Sequence, residues 1–124
     1  MKVTTVTQSD ENDGDASKAQ IELPRFRPVT ASALHERARQ LRLDILEVIS
    51  HAPMGHYSSS LSCAEILVTL YHHVLRLRRS DPDWQDRDRF LLGKGHVAVA
   101  LWPLFAELDF FPQAWLQTFG QLGS

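Results

Sequence analysis

The stretch DRDRFLLGKGHVAVAL, residues 86–101, decides how this chain is read. Arg89, Phe90, Leu91 and Leu92 form a short, mostly apolar run bounded by charges on one side and Gly93 on the other, the pattern of a short strand. Gly93-Lys94-Gly95-His96 interrupts it, and Val97, Ala100, Leu101, Leu104, Phe105 and Leu108 then recur at helical spacing. A strand that enters a glycine turn and leaves as a helix is a βα junction. Pro103 has no amide donor and should kink that helix or delay its start. Pro112 is placed to open a further short helix carrying Trp115, Leu116 and Phe119.

Upstream lies a second glycine-histidine turn, in PMGHYSSSLSCAEIL, residues 53–67. Before it, Leu34, Ala38, Leu41, Ile45, Val48 and Ile49 recur at steps of three and four, which predicts an amphipathic helix from Thr30 to His51. Ser32 is placed to cap its start, and Pro53 and Gly55 follow its end. After the turn, Ser62-Cys63-Ala64-Glu65 has the form of a capping box and predicts a helix beginning at Ser62. That helix runs into Arg76, Arg78 and Arg79, cations that complement a helix C-terminus or, less economically, contact nucleic acid.

One strand cannot make a sheet. The segment from Val97 to Phe119 is apolar on nearly every face, with Trp102, Phe105, Phe110, Phe111, Trp115 and Phe119 all requiring cover. The expectation is therefore that further polypeptide or a partner covers this segment.

The chain has 124 residues, 44% hydrophobic, enough for one domain core. Residues 1–28, with SDENDGDASK at their centre, are polar and acidic, and are read as a flexible tail. The folded part is then residues 29–124. The Asp13-Gly14-Asp15 triplet in that tail has no apolar framework to hold a metal. A formal net charge of −2 gives no electrostatic reason for nucleic-acid binding. The single cysteine, Cys63, cannot close an internal disulfide, no apolar run reaches the roughly 18 residues of a membrane span, and the N-terminus lacks a signal-peptide core. These features fit a cytoplasmic protein.

The chemistry rests on His56 and His96. A neutral imidazole offers one donor and one acceptor and titrates near neutrality, so a pair suits substrates rich in hydroxyls and carbonyls. Glycine before each histidine lets the backbone approach a ligand or adopt positive φ, and the helix beginning near Lys94 offers free N–H groups to a phosphate. Taken as dipeptides alone, both histidines fit a surface or structural role better than a catalytic one. The remaining four, His35, His51, His72 and His73, have no metal-pair spacing, and no metal is assigned to this chain.

From about residue 30 onward the chain resembles transketolase, particularly the N-terminal subunit of split bacterial enzymes. The resemblance is carried, in order, by the Gly55-His56 turn with small residues and Leu61-Ser62, by Asp81-Pro82-Asp83-Trp84, by Arg87-Asp88-Arg89-Phe90, and by Lys94-Gly95-His96 opening a small-residue helix. It implies the fold class α/β: the start of a thiamine-diphosphate-binding fold, this portion mostly helical with one or few strands and incomplete alone, whose enzymes move a two-carbon ketol unit between sugar phosphates, with Mg2+ and thiamine diphosphate as cofactors. It also implies that His56 faces the sugar and that His96 stands between sugar and diphosphate, both assisting catalysis. Gly95 would lie beside the cofactor, and Ser60 and Lys94 beside the substrate.

Family members continue past this region with another Gly-His, a Gly-Asp-Gly turn and an asparagine that grip metal and diphosphate, and take an activating glutamate from a separate domain across a dimer interface. No such run follows His96 here. The expectation is that these residues are active only with the rest of a chain or a C-terminal transketolase subunit, in a homo- or hetero-oligomer. Departures from the family pattern include Ser58 and Ser59 after the first histidine, Gly93 for serine, and Asp109 for a turn glycine that Asp can replace in the left-handed region. The alternatives are a noncatalytic helical interaction module and a degenerate relative that has lost the reaction.

Overall fold

Helix α1, Ala31–His51, forms because its sequence repeats apolar residues at the helical period, and the side that buries is Ala38, Leu41, Ile45, Val48 and Ile49. Its start is capped by Thr30, whose hydroxyl accepts the Ala33 N–H at 3.2 Å, and not by Ser32, which is already inside the first turn. On the outer face Glu36 pairs with Arg39 at 2.8 Å and Gln40 donates to Asp44 at 2.7 Å. The computed structural model describes residues 27–52 and 56–121, so Asp13-Gly14-Asp15 and Gly55 lie outside the described residues.

The chain after α1 wraps around it as short helical pieces: α2 (Tyr57–Leu61), α3 (Ala64–Thr69), a π-helical turn (Leu70–Val74), a 3-10 helix (Gly95–Ala100), α4 (Leu101–Glu107) and a second 3-10 helix (Gln113–Thr118). The core joins the buried face of α1 to Ala64, Leu67 and Val68 of α3 and to Val97, Ala100, Leu104 and Leu108. No helix among the described residues is long and apolar enough to cross a membrane.

The capping box expected at Ser62 does not form. Helix begins earlier, at Tyr57, and breaks at Ser62–Cys63, where Ser62 turns its hydroxyl to the Ser59 carbonyl at 2.9 Å. Glu65, the other half of the box, pairs instead with Arg42 of α1, a longer-range partner that competes successfully for its carboxylate.

The expected strand is also absent: among the described residues none is in a strand, and Arg89–Leu92 runs as irregular chain. Phe90 and Leu92 still pack on the core while Leu91 is 91% exposed, which is the in-out alternation of a strand without a ladder to pair its backbone. The described part is therefore mostly helical.

Pro103 occupies the third residue of α4, where the preceding 3-10 helix passes into α and no α-helical N–H bond is required of it. Asp109, at φ 62°, ends α4: its N–H donates to Ala106 and that of Phe110 to Phe105, at 3.1 and 3.0 Å, with the Phe105 and Phe110 rings in contact. This is the doubly bonded left-handed helix terminus usually built on glycine, here built on the residue type next most tolerant of it.

Past the π turn, the three arginines find partners of their own. Arg76 pairs with Asp88 at 3.1 Å, Arg79 with Asp109 at 3.3 Å, and the Arg78 guanidinium lies 4.0 Å from the Trp84 ring centroid. The chain entering α1 is fastened to the same region, since Arg27 donates to the carbonyls of His73 and Leu75 at 2.9 and 2.6 Å.

Candidate active site

His56 and His96 lie 40 positions apart in the sequence and meet in the fold: their ring centroids are 4.4 Å apart with the planes at 84°. His56 is the residue that enters α2, in extended conformation at φ −112° and ψ 96°. His96 is the second residue of the 3-10 helix Gly95–Ala100, which packs against α2. Both side chains are exposed, and neither imidazole has a hydrogen-bond partner among the described residues. Their ring nitrogens remain free to donate or accept towards a ligand.

The backbone next to His96 is open. A side-chain carbon built at Gly93 or Gly95 would meet nothing within 4 Å, so a ligand could approach the main chain there. Gly95 does not have positive φ, which leaves close approach and not a strained turn as the reason glycine suits this position. Lys94 is extended at φ −104° and ψ 91°, exposed, and its carbonyl accepts the Val97 N–H at 3.0 Å.

Ser60 is placed differently from its neighbours. Ser58 is exposed and Ser59 half-buried, but Ser60 is 0% exposed, with its hydroxyl donating to the His96 carbonyl at 3.4 Å. A signal for this was present in the sequence: Ser60, Ala64, Leu67, Val68 and Tyr71 fall at the spacing of one helical face, and all five are buried. A helix phased from Ser62 excludes Ser60 from that face.

Three of the other histidines are tied into the scaffold. His51 Nδ1 donates to the Glu47 carbonyl at 2.9 Å, His73 Nδ1 donates to the Arg27 carbonyl at 2.5 Å, and buried His72 donates through Nε2 to Glu107 at 3.2 Å. Glu107 also receives Arg37 of α1, so one carboxylate joins α1, the π turn and α4. Burial raises the Glu107 pKa, but the His72 hydrogen bond and charge and the Arg37 charge outweigh it and hold the carboxyl below its ordinary value. Asp44, beside it in a cleft of about 460 Å³ between α1, α4 and the last 3-10 helix, is raised, chiefly by burial. No pattern in the sequence joins Glu107 to Arg37 and His72, 70 and 35 residues away.

The model of the transketolase thiamine diphosphate binding domain matches residues 32–124. This chain belongs to the transketolase family. It is 38% identical over 88 residues to an uncharacterized transketolase family protein of Sinorhizobium fredii, a match covering 71% of this chain and 32% of that protein. It is 37% identical over 92 residues to the transketolase of Mus musculus, covering 74% of this chain and 15% of the mouse protein. With a 6-deoxy-6-sulfo-D-fructose transketolase subunit of a Clostridium species it shares 35% identity over 91 residues, covering 73% and 33% respectively. The chain thus spans at most about a third of these transketolase relatives. Both histidine turns fall within the segment matched to the thiamine diphosphate binding domain.

Proposed function

We propose that this chain carries the histidine wall of a thiamine-diphosphate-dependent transketolase that passes a two-carbon ketol unit from one sugar phosphate to another. The observation that supports this is the meeting of His56 and His96 at 4.4 Å on an exposed surface, in a chain matched to a thiamine diphosphate binding domain. In this reading His56 faces the sugar, and His96 stands between sugar and diphosphate.

The residues present suit an anionic group. The His96 ring, the Lys94 ammonium and the N–H groups of Gly95 and His96 are donors that give to no carbonyl among the described residues, and open space adjoins Gly93 and Gly95. They do not suit a metal: no group of three or more His, Cys, Asp or Glu among the described residues is placed to hold one. A bound Mg2+ would draw its ligands from other parts of the assembled enzyme. That assembly is either a longer chain or a complex with a C-terminal transketolase subunit, working as a cytoplasmic oligomer.

When bound, thiamine diphosphate supplies an electron sink for breaking the bond beside the ketose carbonyl. His56 and His96 hydrogen-bond the sugar, a protonated ring nitrogen donating to a carbonyl oxygen and a bare one accepting from a hydroxyl. Each can then hold or release a proton as charge shifts on that oxygen, a contribution typically of about 10²- to 10⁴-fold.

The test is ketol transfer from a ketose phosphate to an aldose phosphate by the assembled enzyme, with saturating cofactor. His56→Ala and His96→Ala should each lower kcat/KM by about 100-fold or more without loss of fold, because both side chains are exposed. Unchanged transfer by both variants would overturn the assignment.

A second reading, a noncatalytic helical interaction module, is favoured by one feature. Trp102 and Trp115 are 43% and 60% exposed and are bridged by Phe111, at 5.5 and 5.9 Å, into an aromatic face. Loss of partner binding in Trp115→Ser, alongside fully active histidine variants, would favour it.

A further inference from the structure

The two histidine-bearing segments are joined by one buried hydroxyl. The Ser60 N–H donates to the His56 carbonyl at 3.2 Å, and the Ser60 hydroxyl donates to the His96 carbonyl at 3.4 Å. Among the described residues no other hydrogen bond connects residues 56–61 with residues 93–100. We infer that Ser60 is a positioning residue that sets the backbone of His96 against that of His56, a role that rests on reading this pair as the ligand-facing site.

Three observations carry this. Neither imidazole has a hydrogen-bond partner of its own among the described residues, so ring placement follows from the backbone beneath each ring. Val97 of the 3-10 helix is 0% exposed and packs in the core, but apolar burial is non-directional and does not by itself fix rotation of that helix. A hydroxyl-to-carbonyl bond is directional. In a helix a serine hydroxyl ordinarily returns to a carbonyl three or four residues back, which here means Tyr57 or His56. Ser60 reaches across to the other segment instead, from a position with no access to water.

At 3.4 Å the bond is long, so its deletion should disturb the geometry of the pair more than global stability. Ser60→Ala removes the donor and little volume. Ser60→Cys retains a weak donor in nearly the same space. Ser62→Ala, whose lost hydroxyl bonds only locally, to Ser59 and Cys63, serves as the control.

The experiment is proton NMR on the full 124-residue chain without substrate or cofactor, following cross-relaxation between the ring protons of His56 and His96. Wild type and Ser62→Ala should show the inter-ring cross-peak. Ser60→Ala should lose most of it, by threefold or more, while core methyl resonances and Tm stay close to wild type, and Ser60→Cys should restore part. An unchanged cross-peak in folded Ser60→Ala overturns the assignment. If Ser60→Ala unfolds, Ser60→Cys decides: a full wild-type cross-peak at its weakened bond overturns the assignment, and a reduced one with intact methyl resonances supports it. No catalytic turnover enters the measurement, so a failed ketol-transfer assay leaves this result standing, and a failed cross-peak leaves the enzymatic reading standing.

Discussion

Replacing Glu107 by Gln should destabilise the fold by about 1 kcal/mol at pH 7 and by progressively less only once the pH falls below 4.5. The side chain is 34% exposed, receives Arg37, itself 44% exposed, on one oxygen, and His72, 5% exposed, on the other. An exposed pair of the Arg37 kind contributes about 0–1 kcal/mol, and the His72 hydrogen bond to a carboxylate exceeds one to a neutral amide oxygen by about as much again. Gln retains an acceptor for His72, so only these charge contributions are lost. Part is returned at Asp44, where burial chiefly, and Glu107 and Glu47 in addition, raise the carboxyl: removing the Glu107 charge relieves it.

The direction with pH follows from the Glu107 carboxyl being held below its ordinary 4.5. A depressed folded pKa means stability that is present in full above 4.5 and lost as the pH falls through the folded value. Urea denaturation followed by tryptophan fluorescence, from pH 7 down to the acid limit of the fold, should therefore show the wild-type advantage over Glu107→Gln shrinking below pH 4.5. Glu107→Ala should cost about 1–3 kcal/mol more than Glu107→Gln at neutral pH, since it leaves buried His72 Nε2 without a partner. A wild-type advantage over Glu107→Gln that is constant with pH, or an Ala variant no worse than Gln, would refute the reasoning.

Two further substitutions probe the scaffold under the site. Leu104→Ala, at a 0% exposed position between α4 and α1, should destabilise by about 2–5 kcal/mol in the same urea titration, and a loss below about 1 kcal/mol would mean the core is not closed there. At the left-handed end of α4, Asp109→Gly should stay within about 0.5 kcal/mol of wild type, losing only the exposed Arg79 pair, whereas Asp109→Val at φ 62° should cost about 1–2 kcal/mol; equal stabilities for the two variants would contradict the observed turn.

What the sequence made legible was whatever a short window encodes. The period of Ala38, Leu41, Ile45, Val48 and Ile49 determines α1 because helix geometry is local, and Asp109, standing where the family pattern has a turn glycine, does adopt the left-handed conformation that its side chain tolerates. The segment Arg89–Leu92 shows the limit. Its composition records which side chains pack, and Phe90 and Leu92 do, but a strand is defined by the backbone groups it pairs with, and those are not in its own sequence. The same limit separates the two halves of the site. Order and spacing identified His56 and His96 as members of one family pattern, while the contact between their rings depends on how α2 packs on the helix that follows Lys94.

Ser60 marks where the loss of information occurred. Within Ser58-Ser59-Ser60 the three side chains are chemically identical, and only helical phase distinguishes the one that turns inward. Whether Ser60 lies in a helix at all depends on where that helix starts, and the capping-box pattern favours a start at Ser62, while its glutamate pairs with Arg42 on another helix. With the phase read from Tyr57, Ser60 joins Ala64, Leu67, Val68 and Tyr71 on the buried face, and a buried serine requires a partner for its hydroxyl. That requirement, met by the carbonyl of His96, links the packing of α2 to the geometry of the histidine pair.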